Sequence, residues 1–119
     1  MLHDDILKRY ASLIIDIVEE QYISTESGVT SYKAKLKLKG NSSLRIREIW
    51  ERKNLVKYSY YWLNSDNQLI IGWDNAPHHK HVESFPHHKH YKRQNNIKES
   101  NIRNLSDVLS KIEEYVCSH

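Results

Sequence analysis

A chain of 119 residues, 39% hydrophobic and 28% charged, suits one domain with one modest core, which excludes a disordered or fibrous protein. Eighteen lysines and arginines against fifteen aspartates and glutamates leave a formal charge of +3, compatible with a polyanionic partner but too small to demand one. The single cysteine, Cys117, excludes an internal disulfide and a thiolate zinc cage and points to a reducing, cytoplasmic setting; neither a signal peptide nor a membrane span is expected.

Residues 2 to about 13 read as a helix, because Ile6, Leu7, Tyr10, Leu13 and Ile14 recur near helical spacing. Residues 14–24 are ambiguous, and their second half, around Val18, Tyr22 and Ile23, suits a first strand. From Ser31 the pattern alternates strictly. Tyr32, Ala34, Leu36 and Leu38 share one face, and Lys33, Lys35, Lys37 and Lys39 the other. A turn at Gly40-Asn41 leads to a strand with Leu44, Ile46, Glu48 and Trp50 opposite Arg45 and Arg47. A second turn at Lys53-Asn54 leads to one with Val56, Tyr58, Tyr60 and Trp62 on one face. A third, over 64–67, leads to a strand over 68–73. Short turns between consecutive strands predict an antiparallel meander. A polar loop follows over 91–101. The last helix starts at Asn104 or Ser106 and carries the stripe Leu105, Val108, Leu109, Ile112 and Val116. The expectation is a single α+β domain over 1–119, with a four- or five-stranded antiparallel meander between an N-terminal and a C-terminal helix. Leu36, Leu38, Leu44, Ile46, Leu69, Ile71, Val108, Leu109 and Ile112 should form its core.

Between meander and last helix lies DNAPHHKHVESFPHHKH, residues 74–90, which holds six of the chain's eight histidines and the sequence PHHKH twice. Each proline biases its arm towards extended backbone, so His79 and His81 should share one face and His88 and His90 another. Three explanations fit. Two converging pairs, His79, His81, His88 and His90, suit a divalent zinc, copper or nickel ion. Imidazoles also suit metal-independent acid–base chemistry, because they titrate near neutral pH. Cleaving RNA that way needs a base at the 2′-hydroxyl, an acid at the leaving 5′-oxygen and cations beside the phosphate. The third explanation is structural, each ring being held by a carbonyl or a tyrosine. The lysine face is either a solvated face, an edge-strand protection, or a basic wall that tracks phosphates.

LRIREIW, KYSYYWLNSDNQLIIGWDNAPHH and FPHHKH, in that order and followed by a C-terminal helix, resemble the TumE-type toxin family. The similarity is close over 43–90 and looser to the last helix. One departure is Trp73, where a tyrosine or phenylalanine is expected before Asp74; another is His81, which makes the first arm a copy of the second. The resemblance implies a small cytoplasmic toxin of a type II toxin–antitoxin pair, acting on RNA and neutralised by a DNA-binding antitoxin encoded beside it. A homodimer is an open alternative, although no coiled-coil seam supports one.

These readings place acid–base catalysis at His88 and His90, with His79 third. Tyr60 would orient a base or phosphate, Lys89 would stabilise charge on the phosphate, and Asp74 would fix an imidazole tautomer or simply serve the turn. RNA contacts are expected from Lys33, Lys35, Lys37, Arg45, Arg47, Lys80, Lys92, Arg93 and Tyr58. No cofactor is expected unless the four histidines hold a metal. The other reading is a binding protein that acts by occupying nucleic acid or metal without catalysis.

Overall fold

The computed structural model describes residues 2–117. Its elements in chain order are α1 (Leu2–Arg9), β1 (Ile14–Ser24), β2 (Val29–Leu38), β3 (Ser42–Glu51), β4 (Asn54–Leu63), β5 (Leu69–Asp74), β6 (His88–Tyr91), β7 (Ile97–Glu99) and α2 (Leu105–Cys117). The strands form one sheet in the order β1 to β7, every neighbouring pair antiparallel. The fold is thus α+β with a helix at each end, as expected, but the meander has seven strands rather than four or five.

The three additional strands, β1, β6 and β7, flank the strictly alternating run at its two ends. The first helix stops at Arg9 and not near Leu13. Beyond a turn over 10–13, the β-branched cluster Ile14, Ile15, Ile17 and Val18 suits a strand better than a helix. The ambiguous segment is therefore a full eleven-residue edge strand, with bulges between Ile14 and Asp16 and between Ile17 and Glu19. At the other end, the expected polar loop is a hairpin. Tyr91 N–H bonds to Asn96 O across its turn, and Lys92 takes a left-handed φ of 64°. Because β1 takes the edge, the lysine strand β2 is interior, so edge protection does not explain its lysines.

Both helices lie on one face of the sheet. Alternation sends Tyr32, Ala34, Leu36, Leu38, Leu44, Ile46, Tyr58, Tyr60 and Trp62 to that face, where they are buried with Ile71, Trp73, Leu105, Val108, Leu109 and Ile112. Leu69, expected in the core, is only half-buried at the start of β5. Asn104 caps α2, its Oδ1 accepting from Asp107 N–H at 2.9 Å, which settles the choice between Asn104 and Ser106. Under α1, buried Glu48 accepts from Tyr60 Oη at 2.5 Å and Trp50 Nε1 at 3.0 Å and meets His3 Nε2 at 2.5 Å, anchoring the helix to the sheet.

Candidate active site

The opposite face of the sheet carries two rows of mostly polar and charged residues. Cross-strand registers align Lys33, Arg47, Ser59, Asp74 and His88 in one row from β2 to β6. A second row, two residues along each strand, aligns Lys35, Arg45, Tyr61, Gly72 and His90. Both rows start in cations and end in histidines. From a strand spacing of about 4.8 Å, Arg47 stands about 14 Å from His88 and Lys33 about 19 Å. Lys33, Arg45 and Arg47 are exposed and Lys35 is half-buried. Lys33 meets Glu19 at 3.5 Å, but both side chains are about half exposed, so water screens the pair. Lys37, paired with Ser43, extends the cationic end.

Asp74 is the hub at the histidine end. Its Oδ1 accepts from the Ala76 N–H at 3.0 Å and lies 2.8 Å from His88 Nε2. Its Oδ2 lies 3.1 Å from His90 Nε2 and accepts from Tyr61 Oη at 3.3 Å. The bond to Ala76 is turn chemistry, and the same carboxylate also meets both imidazoles. His88 and His90 are 2% and 6% exposed. Each also places Nδ1 against a backbone carbonyl, His88 on Pro86 O at 2.9 Å and His90 on Gln94 O at 2.7 Å. A carbonyl only accepts, so each Nδ1 carries a hydrogen, and each Nε2 is the nitrogen turned towards Asp74.

His79 completes the group from the loop between β5 and β6. Its ring centroid is 4.7 Å from that of His88 and 5.9 Å from that of His90. It is half-buried, the most accessible of the three. Loss of hydration lowers its pKa below the usual histidine value, and the neighbouring His88, His90 and His81 lower it further. His81 is exposed at 6.0 Å from His79, so the two arms do not meet as symmetric pairs.

Several expected site residues are elsewhere. Tyr60 lies on the helix face, fully buried, bonded to Glu48, its pKa pushed far up by burial and by that carboxylate. Tyr58 faces the same way, donating to Ile102 O at 2.9 Å and accepting from His87 Nδ1 at 2.7 Å. Lys89 alternates to the helix side too, where it shares a cleft with Trp73, Glu99, Ser100 and Lys111. None of the three faces His79, His88 and His90, because adjacent residues in a strand point to opposite faces. Lys80, Lys92 and Arg93 are exposed on loops at this end of the sheet.

Two residues that sequence reasoning left out of the site matter. Tyr61, not Tyr60, faces Asp74, and burial with the Asp74 charge pushes its pKa up to about 12. Gly72 makes room for it, since a Cβ there would lie 2.4 Å from two atoms of the Tyr61 ring. A glycine inside an apolar strand was the available signal for such a close approach.

A family model described as "Toxin TumE" matches residues 4–116, nearly the whole chain. The chain belongs to the TumE toxin family. No curated protein and no solved structure matches it. The family relation covers all seven strands and most of both helices, so the two rows and the histidine group lie wholly inside the matched region. No helix among the described residues is long and apolar enough to cross a membrane.

Proposed function

We propose that this TumE-family chain is an RNA-directed toxin that cleaves the RNA backbone by histidine acid–base transesterification. The observation that carries the reading is the pair of cross-strand rows, which put a cationic surface on the same face of the sheet as His88 and His90, beside which the loop residue His79 lies. Lys33, Lys35, Lys37, Arg45 and Arg47 would neutralise phosphates flanking the reacting one, at the strand spacings given above. Exposed Lys80, Lys92 and Arg93 would add charge nearer the histidines.

The order of the histidines differs from the one expected from sequence. His79 is the most accessible of the three imidazoles, so it takes the proton from the 2′-hydroxyl. His88 and His90, buried and bonded at both nitrogens, share protons with Asp74 and return one to the leaving 5′-oxygen through the same opening. The 2′-oxygen attacks phosphorus, the P–O5′ bond breaks, and the products are a 2′,3′-cyclic phosphate and a 5′-hydroxyl. Tyr61 positions Asp74.

Membership of a toxin family supports a cognate antitoxin as partner, and the type II, DNA-binding class is our reading of it. The antitoxin would act by covering the cationic face. Incubating the purified protein with RNA in EDTA and examining the 3′ ends tests the chemistry. Cyclic phosphate ends that disappear with His79→Ala are expected. RNA that is bound but never cut would replace catalysis with occupancy, and RNA that is neither bound nor cut would remove the reading.

A further inference from the structure

The histidine group has the geometry of a metal centre as well as a proton store. His88 and His90 each have Nδ1 tied to a carbonyl, which leaves Nε2 as the atom with a lone pair in the neutral ring. Both Nε2 atoms converge on one carboxylate, at 2.8 and 3.1 Å. Two lone pairs and a carboxylate cannot face one another unless protons or a cation sit between them. A histidine that binds metal through Nε2 while Nδ1–H donates to a carbonyl is the common arrangement in metalloproteins. His79 brings a third imidazole, and one ring nitrogen from each of the three lies within 4.8 Å of the other two. Tetrahedral zinc, with bonds of about 2.0–2.1 Å, spaces its ligand atoms by about 3.4 Å. Of the three, His79 alone sits on a loop rather than in a strand, so closing to that spacing would fall to it.

We infer that His79, His88 and His90 bind one divalent transition metal of the zinc class, with Asp74 as a fourth or supporting group, and that the metal switches off RNA cleavage. Three imidazoles select zinc, copper or nickel over magnesium or calcium, which prefer all-oxygen sites. His81 is outside the set: it is exposed and offers none of the convergent nitrogens. Occupation would silence catalysis because the metal takes the lone pair with which His79 accepts a proton. This regulatory half rests on the RNA-cleavage reading above; the binding half does not.

The test uses untagged full-length protein, stripped with chelator, dialysed and titrated with cobalt(II). The expected result is one equivalent of bound cobalt with the visible absorption of a low-coordinate site, displaced by zinc. His79→Ala should weaken binding at least tenfold with an unchanged melting temperature, since that side chain is not part of the core, whereas His81→Ala should bind like the parent. Asp74→Asn should weaken binding by about 10–100-fold, the usual effect of losing a group that supports a ligand. Absence of a cobalt signal, or His79→Ala binding as tightly as the parent, overturns the site. In parallel, cleavage by stripped protein should fall as the first equivalent of zinc is added. Cleavage indifferent to zinc, or dependent on it, overturns the regulation. If RNA is never cut, the regulatory half falls with the RNA reading, while the cobalt titration still decides the site.

Discussion

Gly72→Ala is the sharpest probe of how the site is assembled. The new methyl carbon would sit 2.4 Å from two atoms of the Tyr61 ring, well inside van der Waals contact, and the ring must move. Overpacking of this kind costs about 1–3 kcal/mol. Removing a glycine from a strand returns about 0.5–1 kcal/mol, because the unfolded chain loses freedom. Gly72→Ala alone should therefore destabilise by roughly 0–2.5 kcal/mol. In a Tyr61→Ala background nothing remains to clash, and the same substitution should stabilise by about 0.5–1 kcal/mol. The coupling energy of the double-mutant cycle is then the clash itself, about 1–3 kcal/mol, far above the ~0.5 kcal/mol at which independent sites add. Urea denaturation of the four proteins measures it. Gly72→Ala should also lower RNA cleavage, because it swings Tyr61 Oη away from Asp74 Oδ2. A coupling energy indistinguishable from zero would refute the packing of Tyr61 over Gly72, and with it the role given to Tyr61.

Further outcomes follow from the same geometry. His79→Ala should reduce cleavage by about 10²–10⁴-fold while stability stays within about 0.5 kcal/mol, whereas His88→Ala should lose activity and also about 1–3 kcal/mol, because it removes the side-chain donor to the Pro86 carbonyl and one of the partners of Asp74. Equal melting of the two variants in thermal denaturation would contradict the burial argument. Replacing Arg45 and Arg47 together by alanine should weaken single-stranded RNA binding and flatten its dependence on log salt by about 1.4, at about 0.7 per phosphate contact. An unchanged slope in a salt titration would remove the cationic rows from the RNA path. Leu36→Ala, at a fully buried position in β2, should cost about 2–5 kcal/mol by chemical denaturation, and a smaller loss would place Leu36 outside the tight core.

Strict alternation in β2 to β4 fixes by itself which side chains share a face, because a strand offers only two. That is why the lysine face, most of the core leucines and the antiparallel meander were legible in the sequence, as helical spacing made the two helices. The extent of the sheet was not. The polar, charged stretch of β7 and the exposed run of β1 form strands because a neighbouring strand supplies the hydrogen bonds, a tertiary cause with weak local signal. The composition of residues 74–90 revealed that imidazoles matter, but not which ones meet. Strand pairing decided that, setting His88 opposite Asp74 and His90 opposite Gly72, while the loop returned His79 and left His81 in solvent. Pairing also decided between Tyr60 and Tyr61. Adjacent in sequence and alike in chemistry, they point to opposite faces, and only the register with β5 puts Tyr61 on the Asp74 side and Tyr60 against Glu48.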